Sequence, residues 1–239
     1  MTGVARDLSR FAGVGAWIFD LDNTLYPRST NLFTQVDQRI REFVGELLHL
    51  SPEVAQQVQK DYYRRYGTTL RGLMVEHGIT PADFLDYVHD IDHTVVAADP
   101  RLALALAALP GRKFILTNGS RAHAEKVAAR LGIPDHFEDI FDIVRLDLLP
   151  KPAPETYDRF IAATGIDPGR AAMFEDLARN LEVPKLLGMV TVLIVPPAGA
   201  GGAPVESWEA EGRDGPHIDF IADDLAGLLE DIVVKISQS

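Results

Sequence analysis

The sequence has 239 residues, of which 46% are hydrophobic and 24% are charged, a length that suits one globular core with one smaller appendage. Its formal net charge of −12 argues against nucleic acid or an acidic membrane as a partner, because binding to such surfaces depends largely on Lys and Arg. The absence of cysteine excludes disulfides and thiolate chemistry and is typical of a reducing compartment, so we expect a cytoplasmic protein that binds neither nucleic acid nor membrane.

The first predicted strand is the apolar run at residues 11–19, which leads directly into two acids. Asp20 and Asp22 follow this run with one leucine between them. In open α/β sheets the carboxyl ends of the strands form the edge at which ligands bind. Two carboxylates placed together there repel each other unless a cation or a shared proton relieves the repulsion. The pattern therefore predicts a metal site or an acid/base pair.

The stretch from residue 32 to residue 95 has helical periodicity and no convincing strand. It contains an apolar helical face over residues 32–47, a second helix that begins at Pro52 and is ended by Gly67, a third over residues 69–78, and a fourth from Pro81 through Val88. We expect a helical-bundle cap at residues 28–97, inserted into a core domain of residues 1–27 and 98–239. Residues 27–31 and 97–100 are the expected hinges of a mobile lid.

After residue 100, short apolar segments alternate with helical patterns. Strands are predicted over residues 113–116, 171–174, 189–195 and 218–221, and helices over residues 121–131, 155–164, 177–187 and 225–236. Such alternation indicates right-handed crossovers and a parallel sheet covered on both faces. The predicted fold class is α/β, with a parallel sheet core and the inserted helical cap. An Ala/Leu run at residues 101–110 is far too short to span a bilayer.

The segment at residues 196–217 is rich in Gly, Pro and Ala and has the acidic residues Glu206, Glu209 and Glu211 around Trp208. A connection of this length is unusual inside a compact domain. We expect a solvated, partly mobile loop, and the alternative is a flap that touches the site or a partner.

Further polar residues follow or lie near the later predicted strands. Thr117 and Asn118 come directly after residues 113–116, and Glu175 and Asp176 come directly after residues 171–174. Lys151 lies between these two pairs, flanked by prolines and hence on stiff backbone. Together with the first acid pair, this set offers oxygen ligands for Mg²⁺, and donors and a cation for phosphoryl oxygens. The residues therefore suit a phosphate substrate with Mg²⁺.

These residues, in this order, resemble the motifs of the haloacid dehalogenase superfamily of aspartyl-phosphate phosphatases. The first motif is matched by residues 20–24, the second by Thr117, the third by Lys151 and the fourth by Glu175-Asp176. The resemblance implies a Rossmann-like core, a helical cap between the first two motifs, and a Mg²⁺ cofactor. Within the superfamily the chain is most similar to the pyrimidine 5'-nucleotidase group, through residues 19–27, 66–73, 87–90 and 114–119.

Chemistry and resemblance together imply a role for each core residue. Asp20 attacks phosphorus and forms an aspartyl-phosphate, while Asp22 protonates the leaving oxygen and then activates water. Mg²⁺ is expected on Asp20, the backbone carbonyl of Asp22 and Asp176, with Glu175 orienting the metal shell through water. The expected phosphate-binding residues are Thr117, Asn118 and Lys151.

The expected substrate is a small phosphorylated metabolite, in particular a pyrimidine nucleoside 5'-monophosphate. Arg71, Tyr66 and His89 in the cap are the candidates for substrate specificity. The alternatives are a phosphatase or phosphomutase that acts on sugar phosphates or other small esters, and a non-catalytic nucleotide-binding regulator.

Two neighbouring activities in the superfamily are disfavoured. Haloacid dehalogenases lack an acid at the position of Asp22. Phosphonatases use a cap lysine, whereas Lys60, the cap's single lysine, is expected on a polar helix face. Zinc is not expected, because the remaining histidines have no metal-ligand spacing.

Overall fold

The protein is built around a six-stranded sheet in which every strand pair is parallel. A computed structural model describes residues 7–202, 205 and 209–238. The spatial order of the strands is β3-β2-β1-β4-β5-β6. Their bounds are β1 Ala16–Phe19, β2 Arg112–Leu116, β3 Asp139–Phe141, β4 Ala171–Glu175, β5 Val190–Ile194 and β6 Phe220–Ala222. Because the chain crosses from β3 on one edge to β4 beside β1, the order reverses next to β1, which is where ligands bind in such sheets.

The sheet has a hydrophobic layer on each face. Trp17 and Phe19 of β1 belong to one layer, whereas Ile18, between them, belongs to the other. This alternation follows from the two-residue period of a strand. The helices that follow residue 99 are α5 Pro100–Ala108, α6 Arg121–Leu131, α7 Pro154–Thr164, α8 Glu182–Leu186 and α9 Leu225–Ser237. Packing on both faces therefore fixes the ends of the strands. The loops that follow the strands begin at these fixed points.

Four helices form a bundle between β1 and β2. They are α1 Leu32–Leu48, α2 Pro52–Tyr66, α3 Thr69–His77 and α4 Pro81–Val88. Their apolar faces build a third hydrophobic cluster, in which Val44, Leu73 and Phe84 are buried together with Ile143 from the loop after β3. Pro52 and Pro81 occupy first-turn positions, where a missing N–H costs no helical hydrogen bond. The bundle thus packs on its own core and against the sheet edge.

The α/β fold class is confirmed, and the sequence predictions differ from the structure in several elements. Neither β3, with only three residues, nor α5 was predicted. The first strand is shorter than residues 11–19, because Leu8–Phe11 forms a 3-10 turn. The helix expected over residues 177–187 is a 3-10 turn at Ala178–Leu181 followed by α8. Pro184 explains this break, since it lacks an N–H and is tolerated only in the first turn of the helix.

The segment after β5 is only partly described, and its residues Glu206 and Trp208 lie outside the described residues. Glu209 is buried, and its carboxylate accepts two hydrogen bonds from the Arg28 guanidinium at 2.9 and 2.8 Å. This part of the segment therefore packs onto the protein, as the flap alternative requires.

Within the described part of the chain, no helix combines the length and apolar character needed to cross a bilayer.

Candidate active site

Parallel strands bring the predicted site residues to one edge of the sheet. Asp20 directly follows β1, Thr117 follows β2 and Asp176 follows β4, while Lys151 lies in the loop between β3 and α7. Thr117 is 1% exposed, and its Oγ1 accepts a hydrogen bond from Gly119 N at 2.9 Å. The structure thus brings all four motif residues together, as their order in the sequence predicts.

Lys151 is the centre of this edge. Its ammonium donates to Asp20 Oδ1 and Glu175 Oε1, each at 2.7 Å, and to the Leu116 carbonyl at 2.8 Å. Burial lowers the pKa of Lys151, but the attraction of the two carboxylates outweighs it and raises the pKa above its ordinary value. Asn118 fixes the backbone of this residue, since Lys151 N donates to Asn118 Oδ1 at 2.8 Å and Asn118 Nδ2 donates to Lys151 O at 3.2 Å. Lys151 is therefore a charged, fully hydrogen-bonded cation of fixed position.

The Asp20 carboxylate is held from both of its oxygens. Lys151 Nζ donates to Oδ1, and Thr24 Oγ1 donates to Oδ2 at 3.1 Å. Burial raises the pKa of Asp20 to about 7, a rise that Lys151 opposes and that Glu175 and Asp22 add to. The residue is thus positioned for attack, and a further positive charge would favour its ionised form.

Three carboxylates converge on a site that suits a divalent cation. Oxygen atoms of Asp20, Glu175 and Asp176 all lie within 4.8 Å of one another. Burial, together with Glu175 and Asp20, raises the pKa of Asp176 well above its ordinary value. A hard cation with oxygen ligands would relieve this crowding of charge, so the donor set fits Mg²⁺.

The three carboxylates are not equally free to bind an ion. Glu175 Oε1 accepts from Lys151 and from Asn180 Nδ2 at 2.7 Å, and its Oε2 accepts from Leu177 N at 2.9 Å. In the described part of the chain, Asp176 has one recorded side-chain hydrogen bond, from Asn23 Nδ2 at 3.3 Å. Asn23 adopts a left-handed backbone conformation, which asparagine tolerates and which closes the turn after Asp22. Glu175 thus orients its neighbours, and Asp20 and Asp176 are the better placed ligands.

The Asp22 side chain makes its hydrogen bonds through one carboxylate oxygen. Its Oδ1 accepts from Tyr26 Oη at 2.6 Å and lies 2.9 Å from His123 Nε2. Burial acts to raise the pKa of Asp22, but His123 and Tyr26 outweigh it and hold the pKa below its ordinary value. His123 is fully buried and contacts His93, with His123 Nδ1 and His93 Nε2 3.0 Å apart.

Sequence reasoning missed these partners of Asp22, because it tested the histidines for metal-ligand spacing alone. A helix-capping signal was present. The Ser120 side chain accepts from His123 N at the start of α6, and this cap places residue 123 on the first turn, beside the edge.

A cavity of about 190 Å³ lies between this edge and the bundle α1–α4. Asp20, Asp22, Thr117, Asn118 and Lys151 line it on the sheet side. The bundle contributes the apolar side chains of Phe33, Val36, Ile40 and Phe84 and the charged side chains of Lys60 and Arg64. The arrangement places acids, a cation and hydroxyl groups at one end of the cavity and an apolar wall at the other, as a phosphate ester with an organic leaving group requires.

The structure departs from the sequence expectation for two of the three cap residues. Arg71 and Tyr66 are not among the residues that line the cavity, whereas His89 is. Tyr66 packs edge-on against Tyr62 and donates to Glu76, because it lies on the Tyr62 side of α2. Arg71 follows the cap of α3, where its N–H donates to Thr68 Oγ1.

Lys60, expected on a polar helix face, is half-buried and lines the cavity. It precedes Tyr63 and Arg64 by three and four residues, so the three side chains share one side of α2. The lysine is therefore part of the cavity wall.

A protein-family model described as haloacid dehalogenase-like hydrolase matches residues 14–188. Phosphate metabolism protein 8 of Saccharomyces cerevisiae (strain ATCC 204508 / S288c) is 27% identical over 195 residues, which cover 74% of this chain and 60% of the yeast protein. The chain thus spans less than two thirds of the length of this relative.

Solved structures are similar in fold. L-2-haloacid dehalogenase from Xanthobacter autotrophicus aligns with a TM-score of 0.57 at 17% identity, covering 91% of this chain and 97% of the dehalogenase. A HAD family hydrolase from Deinococcus radiodurans R1, with bound phosphate and sodium, has a TM-score of 0.55 at 22% identity, covering 95% of this chain and 97% of that hydrolase. At these identities the likeness establishes the fold.

Proposed function

The chain belongs to the haloacid dehalogenase-like hydrolase family, and we propose that it is a Mg²⁺-dependent phosphomonoesterase whose substrates are pyrimidine nucleoside 5'-monophosphates. The observation that carries the proposal is the pair of carboxylates on one cavity, Asp20 beside Lys151 and Asp22 two residues later. A dehalogenase needs a carboxylate nucleophile but no proton donor, because a halide leaves without a proton. A second acid at this place supplies the proton that an ester oxygen needs in order to leave.

Asp20 is the proposed nucleophile. An oxygen of its carboxylate attacks phosphorus, a bond forms between them, and the bond from phosphorus to the ester oxygen breaks. Lys151 fixes the carboxylate through the 2.7 Å contact at Oδ1. Its positive charge and the Thr117 hydroxyl stabilise the negative phosphoryl oxygens during transfer.

Asp22 serves both halves of the reaction. Because Asp22 is ionised in the free protein, it first takes up a proton from the monoanionic ester. It gives this proton to the departing ester oxygen, which leaves as a neutral alcohol. It then takes a proton from water, whose oxygen attacks phosphorus and breaks the bond to Asp20. Phosphate leaves with that proton, and both carboxylates return to their initial states.

Asp20, the Asp22 backbone carbonyl and Asp176 would hold the metal ion, with Glu175 as an orienting neighbour. When bound, Mg²⁺ supplies positive charge that neutralises the phosphoryl oxygens as the anionic nucleophile approaches. The phosphate and the Asp20 carboxylate are both negatively charged and repel each other. In this proposal the single positive charge of Lys151 does not offset that repulsion.

The bundle supports the nucleotide substrate. Phe33 and Phe84 offer aromatic surface to a planar base, and His89 lies on the same cavity with a ring nitrogen near its own helix backbone. We expect a pyrimidine to be preferred to a purine, since a smaller base would let the bundle close over the site and exclude water.

Phosphate release over a panel of esters tests this proposal. The panel contains UMP, CMP, dTMP, AMP, glucose 6-phosphate and p-nitrophenyl phosphate, each with Mg²⁺ and with a chelator, and 2-chloropropionate is assayed for chloride release. We expect metal-dependent phosphate release and a preference for pyrimidine over purine nucleotides of about tenfold in kcat/KM. If AMP or a sugar phosphate is the best substrate, the nucleotidase proposal fails and the phosphatase proposal survives. Chloride release without phosphate release contradicts both.

A further inference from the structure

We propose that His123 is a positioning residue that aims the Asp22 carboxylate at the substrate, with Tyr26 as its partner and His93 as its support. This inference rests on the proposed function, in which Asp22 is the acid and base. Both recorded side-chain hydrogen bonds of Asp22 end on Oδ1, from Tyr26 Oη at 2.6 Å and at His123 Nε2, 2.9 Å away. Two partners on one oxygen fix the rotation of the carboxylate. In the described part of the chain, Oδ2 makes no side-chain hydrogen bond, and Asp22 lines the cavity.

Tyr26 and His123 are buried more deeply than the Asp22 carboxylate that they contact. Tyr26 is 1% exposed and the His123 side chain is 0% exposed. The Asp22 side chain is 16% exposed and lines the cavity. The positioning groups therefore lie behind the carboxylate, where they do not compete with a substrate for space.

The His123 ring is itself immobilised. Its Nδ1 lies 3.0 Å from His93 Nε2, and His93 Nδ1 lies 3.1 Å from the Ile91 carbonyl oxygen. A carbonyl only accepts, so His93 Nδ1 donates to it and the orientation of the His93 ring is defined. The His89 ring stacks on His123 with centroids 4.5 Å apart. His123 is thus held at both nitrogens and on one face, more contacts than space filling requires.

This chain of contacts reaches the segment that joins the bundle to the core. His93 begins a 3-10 turn at His93–Val95, between α4 and α5. The support of Asp22 therefore comes from the return connection of the bundle, and the aim of the acid depends on how that connection is seated.

The leaving group separates positioning from a structural role. A proton donor matters greatly when the leaving oxygen is basic, and little when the leaving group is already a stable anion. Phenyl phosphate and p-nitrophenyl phosphate are similar in size but differ in this property. Hydrolysis of the aspartyl-phosphate is common to both esters and does not enter kcat/KM, which reports the step in which the leaving group departs. Misplacement of the Asp22 carboxylate should therefore lower kcat/KM for phenyl phosphate far more than for p-nitrophenyl phosphate, whereas general loosening of the site lowers both.

The experiment compares the full-length variants His123→Ala, His123→Gln and Tyr26→Phe on both esters, with Asp22→Asn as reference and His136→Gln as control. Glutamine carries an amide donor near the position of Nε2, and His136 lies outside the cavity lining. For His123→Ala we expect kcat/KM on phenyl phosphate to fall about 100-fold, with a loss below about tenfold on p-nitrophenyl phosphate. His123→Gln should recover most of the loss, Tyr26→Phe should shift the ratio in the same direction, and KM should change little.

The inference is overturned if folded His123→Gln and Tyr26→Phe proteins have the wild-type ratio of kcat/KM for the two esters, or if kcat/KM falls equally for both esters. Thermal unfolding of each variant identifies one that does not fold, and Tyr26→Phe then decides alone. If wild type releases no phosphate, or if Asp22→Asn retains the wild-type rate on phenyl phosphate, the proposed function has failed, and the positioning role fails with it.

Discussion

Lys151 uses all three of its ammonium protons in hydrogen bonds at the sheet edge. It is 1% exposed, and the side chains of its two carboxylate partners are 10% and 1% exposed. Water therefore cannot replace it as a partner of Asp20 and Glu175. The residue serves the fold and the proposed chemistry through the same contacts.

Lys151→Met should destabilise the protein by about 3–5 kcal/mol, because it leaves two buried carboxylates without their cation. It should also lower phosphate release by about 100-fold or more, since a charge that stabilises the transition state is lost. Urea unfolding measures the first effect and a phosphatase assay the second. The control is Lys126→Met, an exposed position on α6, with an expected change within about 0.5 kcal/mol. Equal stability of the two variants would contradict the structural role of Lys151.

The raised pKa of Asp20 predicts a pH dependence of the metal-free protein. Its folded pKa is about 7, so between about pH 4 and pH 7 the folded protein keeps a proton that the unfolded chain releases. The free energy of unfolding should therefore fall as pH rises through this window. Because metal binding requires ionised ligands, the increase in Tm on adding Mg²⁺ should be larger at about pH 8 than at about pH 5.5. Thermal unfolding with Mg²⁺ and with a chelator checks this, and a larger increase at the lower pH would count against the acidic cluster as the binding site.

At the scale of residues, sequence reasoning found the groups that lie next to strand ends and missed those that reach them from elsewhere. Asp20, Thr117 and Asp176 each follow a recognisable strand, so their convergence was predictable. His123 lies 101 residues from Asp22 and His93 lies 30 residues from His123, and no local pattern links such pairs. The polar helix face predicted for Lys60 borders the cavity, and a helical pattern does not distinguish a cavity-facing lysine from a solvated one.

At the scale of elements, the contact between α2 and α3 shapes the bundle side of the cavity. Gly72 of α3 faces Tyr62 of α2, and a Cβ added at Gly72 would lie 2.5 Å from Tyr62 Cβ. Tyr62 immediately precedes Tyr63, which lines the cavity. The close approach of the two helices thus depends on the absence of a side chain at this position.

Gly72→Ala should destabilise the protein by about 1–3 kcal/mol through overpacking, although alanine is favoured over glycine in a helix. By shifting α2 it should also raise KM for the substrate more than it lowers kcat. Gly13→Ala is the control, because an added Cβ there meets nothing within 4 Å. Denaturant unfolding and steady-state kinetics measure both effects. A stabilised Gly72→Ala protein would mean that α2 and α3 pack less closely than the structure indicates.

Element prediction succeeded where the pattern was long or capped and failed where it was short. The bundle helices and α6 have periodic apolar faces and defined caps, and the predicted and observed bounds nearly coincide. β3 has three residues, too few to establish a strand period, and it is fixed by pairing with β2. Its position at the sheet edge is therefore set by tertiary contacts and not by local preference.

At the scale of the whole molecule, the cavity is closed by contacts between distant segments. The Arg179 guanidinium, in the turn after β4, lies 4.3 Å from the centroid of the Tyr63 ring on α2. Arg28, before α1, pairs with Glu209, after β5. The order of the motifs predicts which residues share the edge. The seating of the bundle over that edge follows from these long-range pairs, which is why the sequence did not predict the cavity wall correctly.

If Asp20 is the nucleophile, it is phosphorylated during turnover, and rapid acid quench followed by peptide mass spectrometry detects the phosphorylated residue. Wild-type protein mixed with Mg²⁺ and its best phosphate ester should give a peptide spanning Asp20 that carries one phosphoryl group, and hydroxylamine should remove it, as expected for an acyl phosphate. Asp20→Asn should give neither the adduct nor phosphate release. Turnover by the Asp20→Asn protein, or turnover by wild type with a phosphoryl group found on another residue, would contradict the assignment of Asp20 as the nucleophile.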